Sequence, residues 1–208
     1  MLRFGACAIA VLTVAVLAVV GAVAAQQPIP PVDFRPFVDG QHWIVRQPLR
    51  YRIGVSSQET VVPLGFVTDF ASIPQALQSI IRANGNYILP AVVHDYLYWD
   101  QSCTRKQADQ IFLLAMIENK VGALHQRAIH GAVAVAGGFA WDDNARERSS
   151  GLLRILPADR QNITADTLWP AYRLELTLAG VTEAPHAVVA PGFCARGDMT
   201  TEEALRRP

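Results

Sequence analysis

The chain has 208 residues, of which 51% are hydrophobic and 17% are charged, and its formal net charge is zero. This length predicts one domain with a sizeable core rather than two full domains. Because there is no basic excess, the charge balance excludes nucleic acid as an expected partner. The composition leaves the oligomeric state open.

The N-terminal segment is an apolar run that follows a single positive charge. Residues 4–25 carry no charge and end in the small-residue sequence "GAVAAQQPIPP". This pattern predicts a signal peptide over residues 1–25, and therefore a secreted or periplasmic protein. The run is also long enough to anchor the chain in the inner membrane, which is the alternative. In an exported compartment Cys103 and Cys194 either form a disulfide or remain free thiols.

The segments that follow predict short strands and then helices. After a Pro-rich lead-in, "HWIVRQPLRYRIG" and "ETVVPLGF" predict short or edge strands, because each contains a proline. A helix is predicted at about residues 75–82. The stretch "LPAVVHDYLYWDQSCTRKQADQIFLLAM" predicts two helices separated at residues 100–103, with a capping box of Thr104 and Gln107 at the start of the second. The apolar stretch "ALHQRAIHGAVAVAGGFAW" predicts one more helix.

These elements predict an α+β fold in which short N-terminal strands pack on a helical core. The expected domain covers residues 26–141, and its helices include an antiparallel pair that carries His94 and Asp109. Residues 142–208 are predicted to be a loosely structured C-terminal extension with one strand, "AYRLELTL".

The helix pair carries acid–base side chains near its break. Helix periodicity puts His94 and Tyr98 on one face, whereas Asp95 points about 100° away. His94 lies about as far before the break as Asp109 lies after it, so an antiparallel pair brings the two side chains level. An imidazole held by a carboxylate through one nitrogen can take a proton from water through the other. We therefore predict a His94–Asp109 dyad.

Asp95 is a candidate ligand for a hard divalent cation, which requires several oxygen atoms. The upstream turn "VTDFAS" offers Asp69 as a second carboxylate. A calcium ion held by Asp95 and Asp69 would polarise a substrate carbonyl next to the dyad.

Two resemblances fall on these residues. The segments "VPLGFVTDFASIP" and "LPAVVHDYLYWDQSCTRKQADQIFLLAM" resemble the phage-associated family called domain of unknown function 1353, over about residues 60–140. More distantly, the same segments resemble secreted bacterial phospholipase A2 enzymes, in which a calcium turn precedes a His-Asp helix. The second resemblance implies an exported, calcium-dependent hydrolase of ester bonds that acts on phospholipids at a lipid surface.

The phospholipase resemblance also implies a role for individual residues. His94 resembles the base that activates water, Asp109 its orienting acid, and Tyr98 a supporting hydrogen-bond donor. Asp95 and Asp69 resemble the calcium ligands. Phe70 stands where that family has a glycine in the calcium turn.

Two other functions are consistent with the same residues. One is a non-catalytic phage-derived or envelope protein that retains the helix pair as a structural core. The other is a zinc-dependent cell-wall hydrolase that uses His94 with His125 or His130, although these histidines do not have the spacing of a known zinc motif.

Overall fold

The computed structural model describes residues 29–54, 56–70, 85–184 and 189–206. The predicted signal peptide and the helix predicted at about residues 75–82 lie outside the described residues. None of the helices within the described residues combines the length and the apolar character that crossing a bilayer requires.

The described N-terminal residues form short antiparallel strands, as the sequence predicts. One sheet has the strand order β1-β2-β5, and β3 and β4 pair as a separate hairpin. Pro48 and Pro63 lie immediately before β3 and after β4, where a residue without an N–H group does not interrupt the pairing. The strands are β1 (Phe34–Pro36), β2 (Trp43–Val45), β3 (Leu49–Arg52), β4 (Glu59–Val62) and β5 (Val67–Thr68).

Most of the remaining described chain is helical, and the α+β fold is confirmed. The predicted capping box at Thr104 and Gln107 is present at the start of the second helix. The α-helices are α1 (Ile88–Asp100), α2 (Arg105–Glu118), α3 (Ala123–Ser149), α4 (Trp169–Leu178) and α5 (Thr201–Arg206). Short 3₁₀ segments lie at Gly85–Tyr87, Ala158–Arg160 and Gly192–Asp198.

Two predictions about the second half of the chain are wrong. Helix α3 continues past its predicted end at Trp141 to Ser149, because "DDNARER" contains neither proline nor glycine and its Arg and Glu residues favour helix. The predicted strand "AYRLELTL" lies in helix α4. Pro170 is in the first turn of α4, where its fixed φ angle favours a helix start.

The residues beyond Trp141 pack on the N-terminal sheet. The amide of Val67 donates to the carbonyl of Arg154 at 2.7 Å, and the amide of Leu156 donates to the carbonyl of Gly65 at 2.9 Å. A hydrophobic cluster joins both parts of the chain: Phe37, Ile44, Val67, Leu153, Leu156, Ile163, Trp169 and Leu176. The domain boundary at residue 141 stays a prediction.

Cys103 and Cys194 form a disulfide across a sequence separation of 91 residues. Of the two alternatives that the sequence left open, the structure therefore contains the paired one. The bond joins the connection between α1 and α2 to the segment Gly192–Asp198, which packs against α2.

Candidate functional site

The hairpin of α1 and α2 brings His94 and Asp109 into contact. His94 Nε2 lies 3.0 Å from Asp109 Oδ1, so the predicted contact is confirmed, and the catalytic role of the pair stays a prediction. The connection is short because Gln101 ends α1 with a φ angle of 53°, and its amide donates to the carbonyl of Leu97 at 3.0 Å. A short connection of this kind folds α2 back on α1.

Asp109 is held by two further side chains. Tyr98 Oη donates to Oδ1 at 2.6 Å, and Arg105 Nη1 donates to Oδ2 at 3.3 Å. The phospholipase resemblance implied Tyr98 as a supporting hydrogen-bond donor; the bond is present, and its part in catalysis stays a prediction. Arg105 was missed, although it lies one helical turn before Asp109 and this spacing places two side chains side by side. These bonds fix the carboxylate that faces the imidazole.

The ring of His94 is enclosed by aromatic side chains. Its exposed fraction is 0%, and it stacks on Phe112 with ring centroids 4.4 Å apart. The centroid of Tyr98 lies 4.1 Å away on the same helix. Because Asp109 accepts a hydrogen bond from Nε2, the neutral ring has its lone pair on Nδ1. His94 Nδ1 is buried and has no hydrogen-bond partner among the described residues.

Burial also sets the protonation of the site. Removal from water lowers the pKa of His94 below its usual value, although the hydrogen bond from Nε2 to Asp109 acts in the opposite direction. The electrostatic interaction with His130 also lowers the pKa of His94. Burial and the bond to Asp109 raise the pKa of Tyr98, so its hydroxyl remains a donor. At neutral pH the site therefore holds a neutral imidazole.

Asp95 and Asp69 have different partners in the structure. Thr68 Oγ1 donates to Asp95 Oδ2 at 2.6 Å, and both residues are buried. Asp69 Oδ2 lies 3.9 Å from Arg154 Nη2. Thr68 was missed by sequence reasoning, because its contact with Asp95 joins β5 to α1 and leaves no local pattern.

Phe70 has a left-handed backbone conformation although it is not a glycine. Its φ angle is 51°, in the left-handed region that glycine enters most readily. Its ring packs on Phe34 and Trp43, with centroids 5.6 Å and 4.7 Å apart. The turn after Thr68 thus has a conformation that glycine favours, and the Phe70 side chain packs this turn against the sheet.

One comparison with known proteins gives a match. Residues 43–133 match the family model "Protein of unknown function (DUF1353)". No curated protein and no solved structure matches the chain. The match supports the first resemblance found in the sequence and gives no support to phospholipase activity.

The segment that matches the family model contains every residue that the sequence proposed for the site. It also contains Tyr87, which sequence reasoning missed. Its hydroxyl is buried and has no hydrogen-bond partner in the described part of the chain. The ring of Tyr87 packs on the same Phe112 that stacks on His94, with centroids 5.8 Å apart. Two rings that each carry a buried, unpartnered polar atom therefore lie against Phe112.

Helix α3 closes the site on one side and borders a cleft beside it. A Cβ atom at Gly137 would overlap the hydroxyl of Tyr98, so glycine allows α3 to approach the dyad. The cleft has a volume of about 450 Å³ and is lined by Asp109, Arg105, His130 and residues 197–200, among others. It opens towards Asp109 and not towards the buried ring of His94.

The other described histidines are not hydrogen-bonded to the dyad in the described part of the chain. His130 lines the cleft, and His125 lies in the first turn of α3. Across the residues that the structure describes, no three His, Cys, Asp or Glu side chains gather as a metal site. His42 forms a second His–Asp pair with Asp39, at 3.0 Å and partly exposed. Calcium and zinc both stay predictions.

Proposed function

We propose that this protein is an exported hydrolase of ester bonds in which His94 is the general base. The observation that carries the proposal is that the two ring nitrogens of His94 have different surroundings. Asp109 binds Nε2, and Nδ1 has no hydrogen-bond partner among the described residues. A general base needs this arrangement, with one nitrogen fixed and the other free to accept a proton.

The reaction assigned to these residues is hydrolysis of an ester, in which the acyl group is transferred to water. Nδ1 of His94 takes a proton from water as the water oxygen attacks the ester carbonyl. The imidazolium that forms is stabilised by Asp109, and it then returns the proton to the leaving alkoxide. Tyr98 and Arg105 hold Asp109 in place and are positioning residues. A lowered pKa keeps His94 neutral, and therefore able to act as a base, at neutral pH.

No step of this mechanism is assigned to a metal ion. The phospholipase resemblance implies calcium at Asp95 and Asp69, and each of these carboxylates has a side-chain partner in the structure. One oxygen of Asp95 accepts from Thr68, and Asp69 faces Arg154. Calcium usually requires six to eight oxygen ligands, so these two carboxylates alone do not complete a calcium site. The proposal therefore rests on the dyad alone.

The substrate class follows from the surroundings of the dyad. The His94 ring packs on Phe112 and Tyr98, and Tyr87 packs on Phe112 in turn. These aromatic surroundings suit an acyl ester better than a charged peptide. We assign phospholipid acyl esters as the substrate class, in line with the second sequence resemblance. The disulfide and the predicted signal peptide are both consistent with an exported enzyme.

The experiment compares ester hydrolysis by the wild type and by the His94→Gln variant. Soluble short-chain esters and phospholipid vesicles are tested separately, each with calcium and with a chelator. The matched control is His42→Gln, which removes the other His–Asp pair. We expect His94→Gln to lower the rate by about 100-fold or more, as for loss of a general base, and His42→Gln to leave it unchanged. Equal rates for wild type and His94→Gln would remove the proposal.

A second candidate is favoured by the complete burial of His94. The exposed fraction of His94 is 0%. In this second candidate the protein is non-catalytic, and the ring is a packed, hydrogen-bonded part of its core. In that case the wild type hydrolyses no ester, and His94→Gln lowers the free energy of unfolding by about 1–3 kcal/mol. The activity assay and a denaturation curve on the same two proteins separate the candidates.

A further inference from the structure

Helix α3 has an apolar face that no described part of the chain covers. Its inward side contributes the buried residues Ile129, Val133, Gly137 and Asn144. The opposite side exposes Leu124, Val135 and Phe139 by 78%, 87% and 80% of their surface. A surface helix normally places polar residues there, and contiguous exposed apolar surface marks an interaction site.

These exposed residues form a continuous stripe. At 100° per residue, Leu124, Ala128, Gly131, Val135 and Phe139 fall within about 40° of Val135. Their spacings of four, three, four and four residues are those of a helix that packs against another helix. A Cβ added at Gly131 would meet no atom within 4 Å, so the stripe has an open depression at this point.

We propose that the stripe on α3 binds the same stripe of a second copy of this chain, with the two helices antiparallel and Val135 at the two-fold axis. An isologous pair of this kind requires a surface that is complementary to itself. Here Phe139 and Gly131 are both four residues from Val135, on opposite sides. The ring of Phe139 in one copy therefore lies level with Gly131 of the other copy and packs beside Ala132. The small side chains there leave room for the ring.

Charge complementarity supports the antiparallel arrangement over other occupants. Arg127 lies about 12 Å before Val135 along the helix and Asp142 about 10.5 Å after it. Around the helix they are turned about 80° and 20° from Val135, in the same direction. Two antiparallel copies thus place Arg127 of each opposite Asp142 of the other. A lipid surface would favour a basic rim at both ends, whereas this stripe has one basic and one acidic end. Both side chains are exposed and available for pairing.

The size of the contact sets the expected affinity. From Leu124 to Asp142 the stripe is about 27 Å long. The interface therefore consists of a single pair of helices, one from each copy. Such a contact lies at the small end of specific interfaces, so we expect a reversible dimer with a micromolar dissociation constant.

The first experiment measures the dimer dissociation constant of the full chain by analytical ultracentrifugation. We expect Phe139→Ala to raise it by about tenfold or more, as for a central interface residue. Arg127→Asp and Asp142→Arg should each weaken the dimer, and the two changes together should restore it. A chain that is monomeric throughout the micromolar range, or a dimer that none of these changes affects, would overturn the proposal. So would a double variant that is weaker than both single ones.

Cross-linking tests the register in the same molecule. With Cys7 changed to serine, Val135→Cys places two thiols at the two-fold axis, and a short bifunctional thiol reagent should join the copies. The matched control is Ala123→Cys, which is exposed on the same helix but about 18 Å from the axis. We expect a covalent dimer from Val135→Cys and none from Ala123→Cys. Cross-linking of the control instead, or monomers that bind phosphatidylcholine vesicles through Phe139, would rule out the antiparallel pair.

Discussion

Removal of the disulfide should lower the stability of the protein by a large and calculable amount. The change is the double variant Cys103→Ala with Cys194→Ala, which removes both thiols without burying a new polar group. Both cysteines are buried, with exposed fractions of 4% and 2%. The bond attaches the segment Gly192–Asp198 to the start of α2, where Gln107 Nε2 also donates to Asp198 Oδ2 at 2.7 Å.

The magnitude follows from the length of chain that the bond closes. For a separation of 91 residues, the loss of loop-closure entropy from the unfolded state stabilises the protein by about 4–5 kcal/mol in the chain-entropy description. For a domain of this size each kcal/mol corresponds to about 2–4 °C in the melting temperature. We therefore expect the double variant to melt about 8–20 °C below the wild type.

The assay is thermal unfolding followed by circular dichroism, with and without a reducing agent. Reduction should lower the melting temperature of the wild type and leave that of the double variant unchanged. In the uncleaved chain Cys7→Ala is the control, because this cysteine is not part of the bond, and it should melt like the wild type. The reasoning is refuted if the double variant and the wild type melt at the same temperature under oxidising conditions.

Three further results follow from the site. Gly137→Ala should displace the Tyr98 hydroxyl from Asp109 and lower the free energy of unfolding, measured by urea denaturation, by about 1–3 kcal/mol. An unchanged denaturation midpoint would contradict the close approach of α3. Because burial lowers the pKa of His94, the unfolded chain binds its proton first as the pH falls. Stability should therefore be constant above pH 6.5 and decrease below it by at most about 1.4 kcal/mol per pH unit. His94→Gln should lose this decrease, and a variant that keeps it would show that another group titrates. If Asp95 binds calcium, a calcium concentration one hundred times the dissociation constant should raise the free energy of unfolding by about 2.7 kcal/mol. Asp95→Asn should abolish this increase. A melting temperature that calcium does not change would contradict binding of the ion.

The local parts of the structure could be predicted from the sequence. The two helices of the hairpin, the break between them and the capping box at Thr104 all follow from periodicity and turn residues within a short stretch. The contact of His94 with Asp109 follows from the same local geometry, because both lie near one turn. Tyr98 shares a helical face with His94 and reaches the same carboxylate for that reason.

The contacts between distant segments could not be predicted in this way. Thr68 binds Asp95 from a strand 27 residues earlier, and no periodicity links the two positions. The partner of Asp69 is Arg154, from a segment that the sequence suggested was loosely structured. The end of α3 was misplaced because a run of charged residues was interpreted as a linker, whereas arginine and glutamate favour helix.

The protonation of His94 tests the central claim most directly. Nitrogen-15 NMR of histidine-labelled protein at pH 7 distinguishes a protonated ring nitrogen from an unprotonated one, and His94→Gln identifies the signal. The account predicts a proton on Nε2, which faces Asp109, and an unprotonated Nδ1 that is able to accept a proton from water. A ring with its proton on Nδ1, or with protons on both nitrogens, would contradict the assignment of His94 as the base.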